Sequence, residues 1–320
     1  MTIILYFLAV PIVFADEGYI LNVIITSSML SFISLGVWVT FAIGRINIGQ
    51  GGFAMIGGYV CAILVSQFGV SFWLCLLISG VISALIGTVI GAAILRLQGV
   101  YFAMITLCLT EAIRLAFLNA GFVTRGASGM IDLPLPGEIA IFGLTIVPAF
   151  EPGERLPFFY LAATLLTLGF LALWLINRSR LGDVFRSLRQ NQDLAASFGI
   201  NVAKYRVIAY TICCFYGGVG GAFFTGFQQN IYPSSYQVID SVYFMMYCFI
   251  GGLDFIAGPI VGAFLLVIGF ELLHEVERYQ IVAFGSLMIL CIVFLPNGLI
   301  SLVVRIPQLG HYIGRGRHAA

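Results

Sequence analysis

Between Arg45 and Arg96 the chain runs 50 residues, Ile46 to Leu95, without one charged side chain. A helix crosses the roughly 30 Å apolar layer of a bilayer with about 20 apolar residues. This stretch is too long for one helix and must fold back on itself, and Phe68–Ser71 (FGVS) offers the turn. The pattern recurs along the sequence. Tyr19–Ile43 is 25 uncharged residues, Leu156–Asn177 is 22 and Val207–Ile239 is 33. Leu97–Thr110 continues through Glu111 and Arg114 to Asn119, and Ile281–Val304 closes the chain. Two more spans lie between Ser241 and Leu273, meeting near Gly251–Asp254 and Gly258–Pro259. With the short apolar segment Thr2–Ala15 the expectation is an all-α polytopic membrane protein of about ten helices. Thr2–Ala15 also reads as a cleaved signal ending at Val13–Ala15, although it lacks a basic leading region.

Composition narrows the function classes. Hydrophobic residues make up 61% of the 320 and charged residues 9%, against about 25% charged in soluble proteins. That excludes a soluble enzyme, a nucleic-acid binder and a disordered chain. Glycine contributes 37 residues, as suits close packing of membrane helices. The seven cysteines all lie in apolar runs and form no disulfide framework. The three histidines lack metal-ligand spacing.

Charge placement gives the orientation. With the N-terminus inside, eleven basic residues fall on the cytoplasmic side: Arg45, Arg96, Arg178, Arg180, Arg186, Arg189, Lys204, Arg206, Arg305, Arg315 and Arg317. Three fall outside, Arg125, Arg155 and Arg278, and Arg114 lies within a span. This bias follows the positive-inside rule and puts both termini in the cytoplasm. One permease domain is expected over 1–320, with an external loop at 121–157 and a cytoplasmic loop at 177–204. Five spans before the middle and five after suggest a 5+5 inverted repeat. Each half would lead into a Gly-rich break, at Gly44–Gly52 and at Gly217–Gly226, although Gly217, Gly218, Gly220 and Gly221 read equally as helix-packing glycines.

The sole lysine, Lys204, is followed by Tyr205, so the chain has no Gly-x-x-x-x-Gly-Lys-Ser/Thr phosphate loop. Energy for transport would come from a separate ATPase or an ion gradient; a passive channel would need none. The 28-residue loop Asn177–Lys204 bears on this choice. It fits two short amphipathic helices. Val184, Phe185 and Leu188 share one face, with Arg186 and Arg189 on another; Leu194, Ala195 and Phe198 follow, and Gly199 ends the helix. Such a loop either docks into another protein or holds topology by its arginines.

Within the spans, Glu111 and Arg114 stand at i, i+3 on one helix face. They form either a structural ion pair near the external interface or a polar lining of a pathway. Asn47 and Gln50 sit among Gly44, Gly49, Gly51 and Gly52, where a broken helix can line a cavity or pack tightly. Asp240 reads as a helix-end charge and Asp254 as part of an inner turn. Glu271, Glu275 and Glu277 read as a solvated helix end or an external acidic rim.

The chain resembles the LivM-type permeases of branched-chain amino acid ABC importers. The likeness rests on Gly44–Tyr59 (GRINIGQGGFAMIGGY), Leu97–Leu107 (LQGVYFAMITL) with Glu111 and Arg114, Thr124–Gly129 (TRGASG), the cytoplasmic loop ending at Gly199–Val202 (GINV), Gly251–Gly262 (GGLDFIAGPIVG) and Pro296–Leu299 (PNGL), in that order. The pattern departs at Gln50, where His is usual, and near Gln190–Gln192, where an acidic pair is common. The resemblance implies a subunit of the bacterial inner membrane that is not itself an enzyme. Its partners would be a LivH-like second permease, two cytoplasmic ATPases carrying ATP and Mg, a periplasmic solute-binding protein and membrane lipid, with no nucleic acid. It implies a substrate pathway drawn from Asn47, Gln50, Gly51, Tyr101, Thr106, Glu111 and Arg114. It also implies coupling to the ATPase through Arg186, Arg189, Asp193, Ala195, Ala196 and Gly199, with no cofactor or metal in this chain. The solute would be a branched-chain amino acid or a related small solute such as urea, an amide or an aromatic acid.

Overall fold

A computed structural model describes residues 17–97, 99–141, 144–151 and 153–272, with 6–7, 10–11, 282, 285–286, 289 and 298–301. The chain folds into α1 (Gly18–Ala42), α2 (Gln50–Phe68), α3 (Phe72–Ile94), α4 (Val100–Asn119) and the single turn α5 (Gly121–Thr124). After a small antiparallel hairpin, β1 (Ile139–Ile141) and β2 (Leu144–Val147), come α6 (Leu156–Arg178), α7 (Arg180–Gln190) and α8 (Gln192–Ser197). The series continues through α9 (Val202–Gln228), α10 (Val238–Gly251) and α11 (Gly258–Leu272). Among the described residues six helices, α1, α2, α3, α4, α6 and α9, are long and apolar enough to cross a membrane, and α10 and α11 are shorter apolar helices. The expected segments Thr2–Ala15 and Ile281–Val304, and with them Glu275 and Glu277, lie largely or wholly outside the described residues. The hairpin, in the 121–157 connection, is an addition to the expected all-helical plan.

Several boundaries fall where backbone chemistry put them. The uncharged 50-residue stretch turns at Gly69, whose φ of +62° closes α2, a left-handed conformation that costs glycine nothing. Gly252, at φ +117°, ends α10. Ser179, Asn191 and Asn201 accept backbone N–H bonds at the starts of α7, α8 and α9, the usual work of N-cap side chains.

Two expectations need correction. The span expected over Val207–Ile239 is helical over 202–228 only, and its Gly-rich run is not a break. Gly217, Gly218, Gly220 and Gly221 lie inside continuous α9. A methyl on them would meet Gln50 and Phe53, Ser83, Ile33 and the Ala54 carbonyl, respectively. They give α9 a flush surface against α1, α2 and α3. Without a hydrophobic driving force in lipid, such backbone approach is what joins membrane helices. The break comes later, at 229–237, opened by Gln229 at φ +56°. Tyr232–Ser235 contains Pro233 and two serines, a turn signature that counting uncharged length passes over.

α1, α2 and α9 hide most of their surface, whereas α3, α4 and α6 leave most of theirs facing outward. The outward residues of α3, including Leu74, Leu77, Val81, Leu85 and Val89, are all apolar.

Candidate functional site: a broken-helix junction and a basic end

Residues 43–49 connect α1 to α2 without helix, and most of this connection is buried. Irregular backbone inside a bundle of apolar helices needs internal partners, and several are present. The Ile48 N–H donates to Thr106 Oγ1 at 3.1 Å and the Gly49 N–H to Asn47 Oδ1 at 2.9 Å. The Gly51 N–H donates to Ser241 Oγ at 2.9 Å. Gln50 Nε2 donates to the carbonyls of Ile33 at 3.2 Å and Cys213 at 3.0 Å, and its Oε1 accepts from Cys213 Sγ at 2.9 Å. Asn47 Nδ2 lies 3.2 Å from Cys213 Sγ. The N-terminus of α2 thereby meets that of α10, where Asp240 accepts from the Gln237 N–H at 2.6 Å, while Thr106 and Thr110 of α4 close the site.

Of the residues expected on a substrate pathway, Asn47, Gln50, Gly51 and Thr106 are thus gathered at this junction, buried and with their polar groups engaged within the subunit. Tyr101 stands apart, exposed at the start of α4. Glu111 and Arg114 are bound side by side, Nη2 to Oε1 at 2.6 Å and Nε to Oε2 at 2.9 Å. Their side chains are 38% and 26% exposed on the outward face of α4. Glu111 is the twelfth of 20 residues of that helix, about 17 Å along an element of about 30 Å. Arg114, the fifteenth, lies one turn further toward Asn119. Cys213 and Ser241, which hold the junction together, carried no sequence signal beyond being small residues in apolar runs.

On the side of Gln228–Gln229, where Met130 pairs with Ile231, two cavities of about 330 and 130 Å³ share Thr26 and Gln228. The larger is lined by Asn22, Glu151, Glu154 and Arg155, and the smaller reaches Asp240.

The opposite end collects the basic loops. Arg189 binds Asp254 at 2.8 Å, tying α7 to the turn between α10 and α11. Arg186 binds Asp183 at 2.6 Å and the backbone carbonyl and side chain of Asn177 at 3.0 and 2.9 Å. Phe185 and Leu188 turn inward and are buried, as their spacing predicts. On α8 the expected face splits. Ala195 is buried, whereas Ala196, Leu194 and Phe198 face outward, Phe198 with 79% of its surface exposed. Asp193 sits in the first turn of α8, and Gly199 follows α8 at φ +81°. Arg45 and Arg206 are buried here at 2% and 8% exposure. Arg45 Nη1 donates to the Leu97 carbonyl at 2.6 Å, Arg206 Nη1 to the Leu95 carbonyl at 3.3 Å, and Arg206 Nη2 to Gln192 Oε1. Burial, with the Arg206 charge adding, pulls the Arg45 guanidinium down to about 10.

A bundle of apolar helices with a buried helix break and a basic end is the architecture of a polytopic membrane protein. The comparisons agree and go further. The family described as branched-chain amino acid transport system / permease component matches residues 19–295, so the chain belongs to that permease family. It is 30% identical over 310 residues to the high-affinity branched-chain amino acid transport system permease protein LivM of Salmonella typhimurium, covering 90% of this chain and 71% of that protein. It is 27% identical to the probable branched-chain amino acid transport permease protein LivH of Methanocaldococcus jannaschii (89% and 87% covered). It is 24% identical to the ribose import permease protein RbsC of Haemophilus influenzae (89% and 86% covered). No solved structure matches the chain.

Proposed function

We propose that this permease is the membrane subunit of an ATP-driven ABC importer in the bacterial inner membrane. It forms half of the translocation path with a LivH-like partner, receives solute from a periplasmic binding protein and is moved by two cytoplasmic ATPases that hold ATP and Mg. The solute class follows the LivM relatives: a branched-chain amino acid, or a related small solute. The observation that carries the reading is the outward face of α8. Leu194 and Phe198 are large apolar side chains standing in solvent at the basic end of the bundle, and such exposure marks an interaction surface. By the positive-inside rule that end is cytoplasmic, where an ATPase would meet it; Arg186, Arg189, Asp193, Ala195, Ala196 and Gly199 position this helix. The substrate path is assigned to the outward face of α4, because the Glu111–Arg114 pair within the helix is ill suited to lipid, whereas the apolar face of α3 suits it. Tyr101 opens that path, and Asn47, Gln50, Gly51 and Thr106 fix the junction behind it.

The ten-helix, 5+5 plan is part of the same proposal. α1, its break and α2 correspond to α9, the 229–237 break and α10, each break following the C-terminus of its helix and the two lying toward opposite ends of the bundle. That is the arrangement an inverted repeat produces.

The alternatives are an ion-coupled secondary transporter and a passive channel. The docking test separates them. Leu194→Ser with Phe198→Ser, or replacement of 186–199 by a Gly/Ser linker, should abolish co-purification of the ATPases while the permease still inserts. Unchanged association would remove the reading.

A further inference from the structure

Arg45 and Arg206 raise a question that docking does not answer. Both guanidiniums are buried, and among the described residues neither forms an ion pair with a carboxylate. Arg45 Nε and Nη2 and Arg206 Nε have no hydrogen-bond partner. Burying two like charges without a counterion is unfavourable, so a role in topology alone does not explain their position; surface arginines would serve topology equally well. What the two share is the turn joining α3 to α4. Arg45 reaches it from the break before α2, through the Leu97 carbonyl, and Arg206 reaches it from the start of α9, through the Leu95 carbonyl. Arg206 also holds Gln192, the first residue of α8, whose side chain turns inward, away from the face bearing Leu194 and Phe198. On the other side of the break, a methyl at Gly44 would rest 3.4 Å from Arg189 Cα of α7.

We infer that Arg45 and Arg206 are positioning residues, a two-arginine strut that transmits displacement of α8 to the α3–α4 turn and the break before α2. The route is contiguous: α8 to Gln192, Gln192 to Arg206, Arg206 to the Leu95–Leu97 turn, and from that turn both to α4 and, through Arg45, to the junction. The planar guanidinium explains why arginine stands at 206, since a lysine could not hold the Leu95 carbonyl and Gln192 in two fixed directions.

The inference rests on the ATPase-docking proposal and is tested so that the two fail separately. The full transporter, with second permease, ATPases and binding protein, is reconstituted in proteoliposomes carrying Arg206→Gln, Arg45→Gln or Gln192→Ala. ATPase co-purification, ATP hydrolysis and solute uptake are measured on each. The strut predicts co-purification and hydrolysis within twofold of the unmodified protein and uptake lowered at least tenfold, so that ATP consumed per solute rises in proportion. Arg206→Lys, which keeps the charge but not the two-partner geometry, should behave like Arg206→Gln. Gln192→Ala removes no buried charge and answers the question if an arginine variant fails to fold. Unchanged uptake, or uptake and hydrolysis falling by the same factor, would overturn the strut. So would loss of ATPase association in the variants alone. Failure of the unmodified permease to hold any ATPase would instead overturn the docking proposal.

Discussion

The Glu111–Arg114 pair shows how a charge is carried on a membrane helix. An arginine alone at a helix centre costs about 2.5–3.5 kcal/mol on insertion scales. The bidentate pairing at 2.6 and 2.9 Å offsets that cost while leaving a dipole on the outward face of α4. Glu111→Gln should therefore harm transport more than the double change Glu111→Gln with Arg114→Gln, because the single change leaves a cation without its partner. Uptake normalised to membrane-inserted protein is expected to fall at least tenfold in the single variant and to recover in part in the double. A double variant no better than the single would contradict the pairing account. The i, i+3 spacing made this pair legible in the sequence. Arg45 and Arg206 were not legible in the same way: the positive-inside rule counts them as loop charges and is blind to burial. Cys213 is a further case, since nothing in a run of small apolar residues announces a thiol that bonds Gln50 and Asn47.

At the scale of elements, glycine does two different jobs that composition cannot separate. Gly69 and Gly252 supply the positive-φ backbone that ends α2 and α10, and flanking sequence made both visible. The glycines of α9 look the same in sequence but form a packing surface, because the helix has α1, α2 and α3 against it. Whether a Gly run breaks a helix or buries it is decided by neighbours remote in the chain. Gly221→Ala places a methyl against the Ala54 carbonyl. Overpacking of this kind costs about 1–3 kcal/mol and should lower the melting temperature of the solubilised permease. Gly269→Ala, with nothing among the described residues within 4 Å of the added methyl, should leave it unchanged or raise it slightly through helix propensity. Equal melting temperatures for the two variants would show that α9 is not packed as described. The helices α7 and α8 were anticipated from their amphipathic spacing. The split of α8, with Ala195 inward and Leu194 and Phe198 outward, was not, because a helix of six residues is too short for periodicity to fix its face.

For the whole molecule, scarcity of charge set the class and distribution of charge set the ends. Arg45, Arg186 and Arg189 come from two separate connections and Arg206 from the start of α9, yet they gather at one end of the bundle. The family match over residues 19–295 and the outward face of α8 then lead to one central claim, that this permease is driven by ATP hydrolysed on partner subunits. The direct measurement is uptake of a branched-chain amino acid into vesicles carrying the complete transporter and its binding protein, with the proton gradient collapsed and ATP maintained. Uptake should persist at its original rate and stop when ATP is removed. Uptake that ceases with the gradient while ATP is present would contradict the account and favour ion coupling through Glu111.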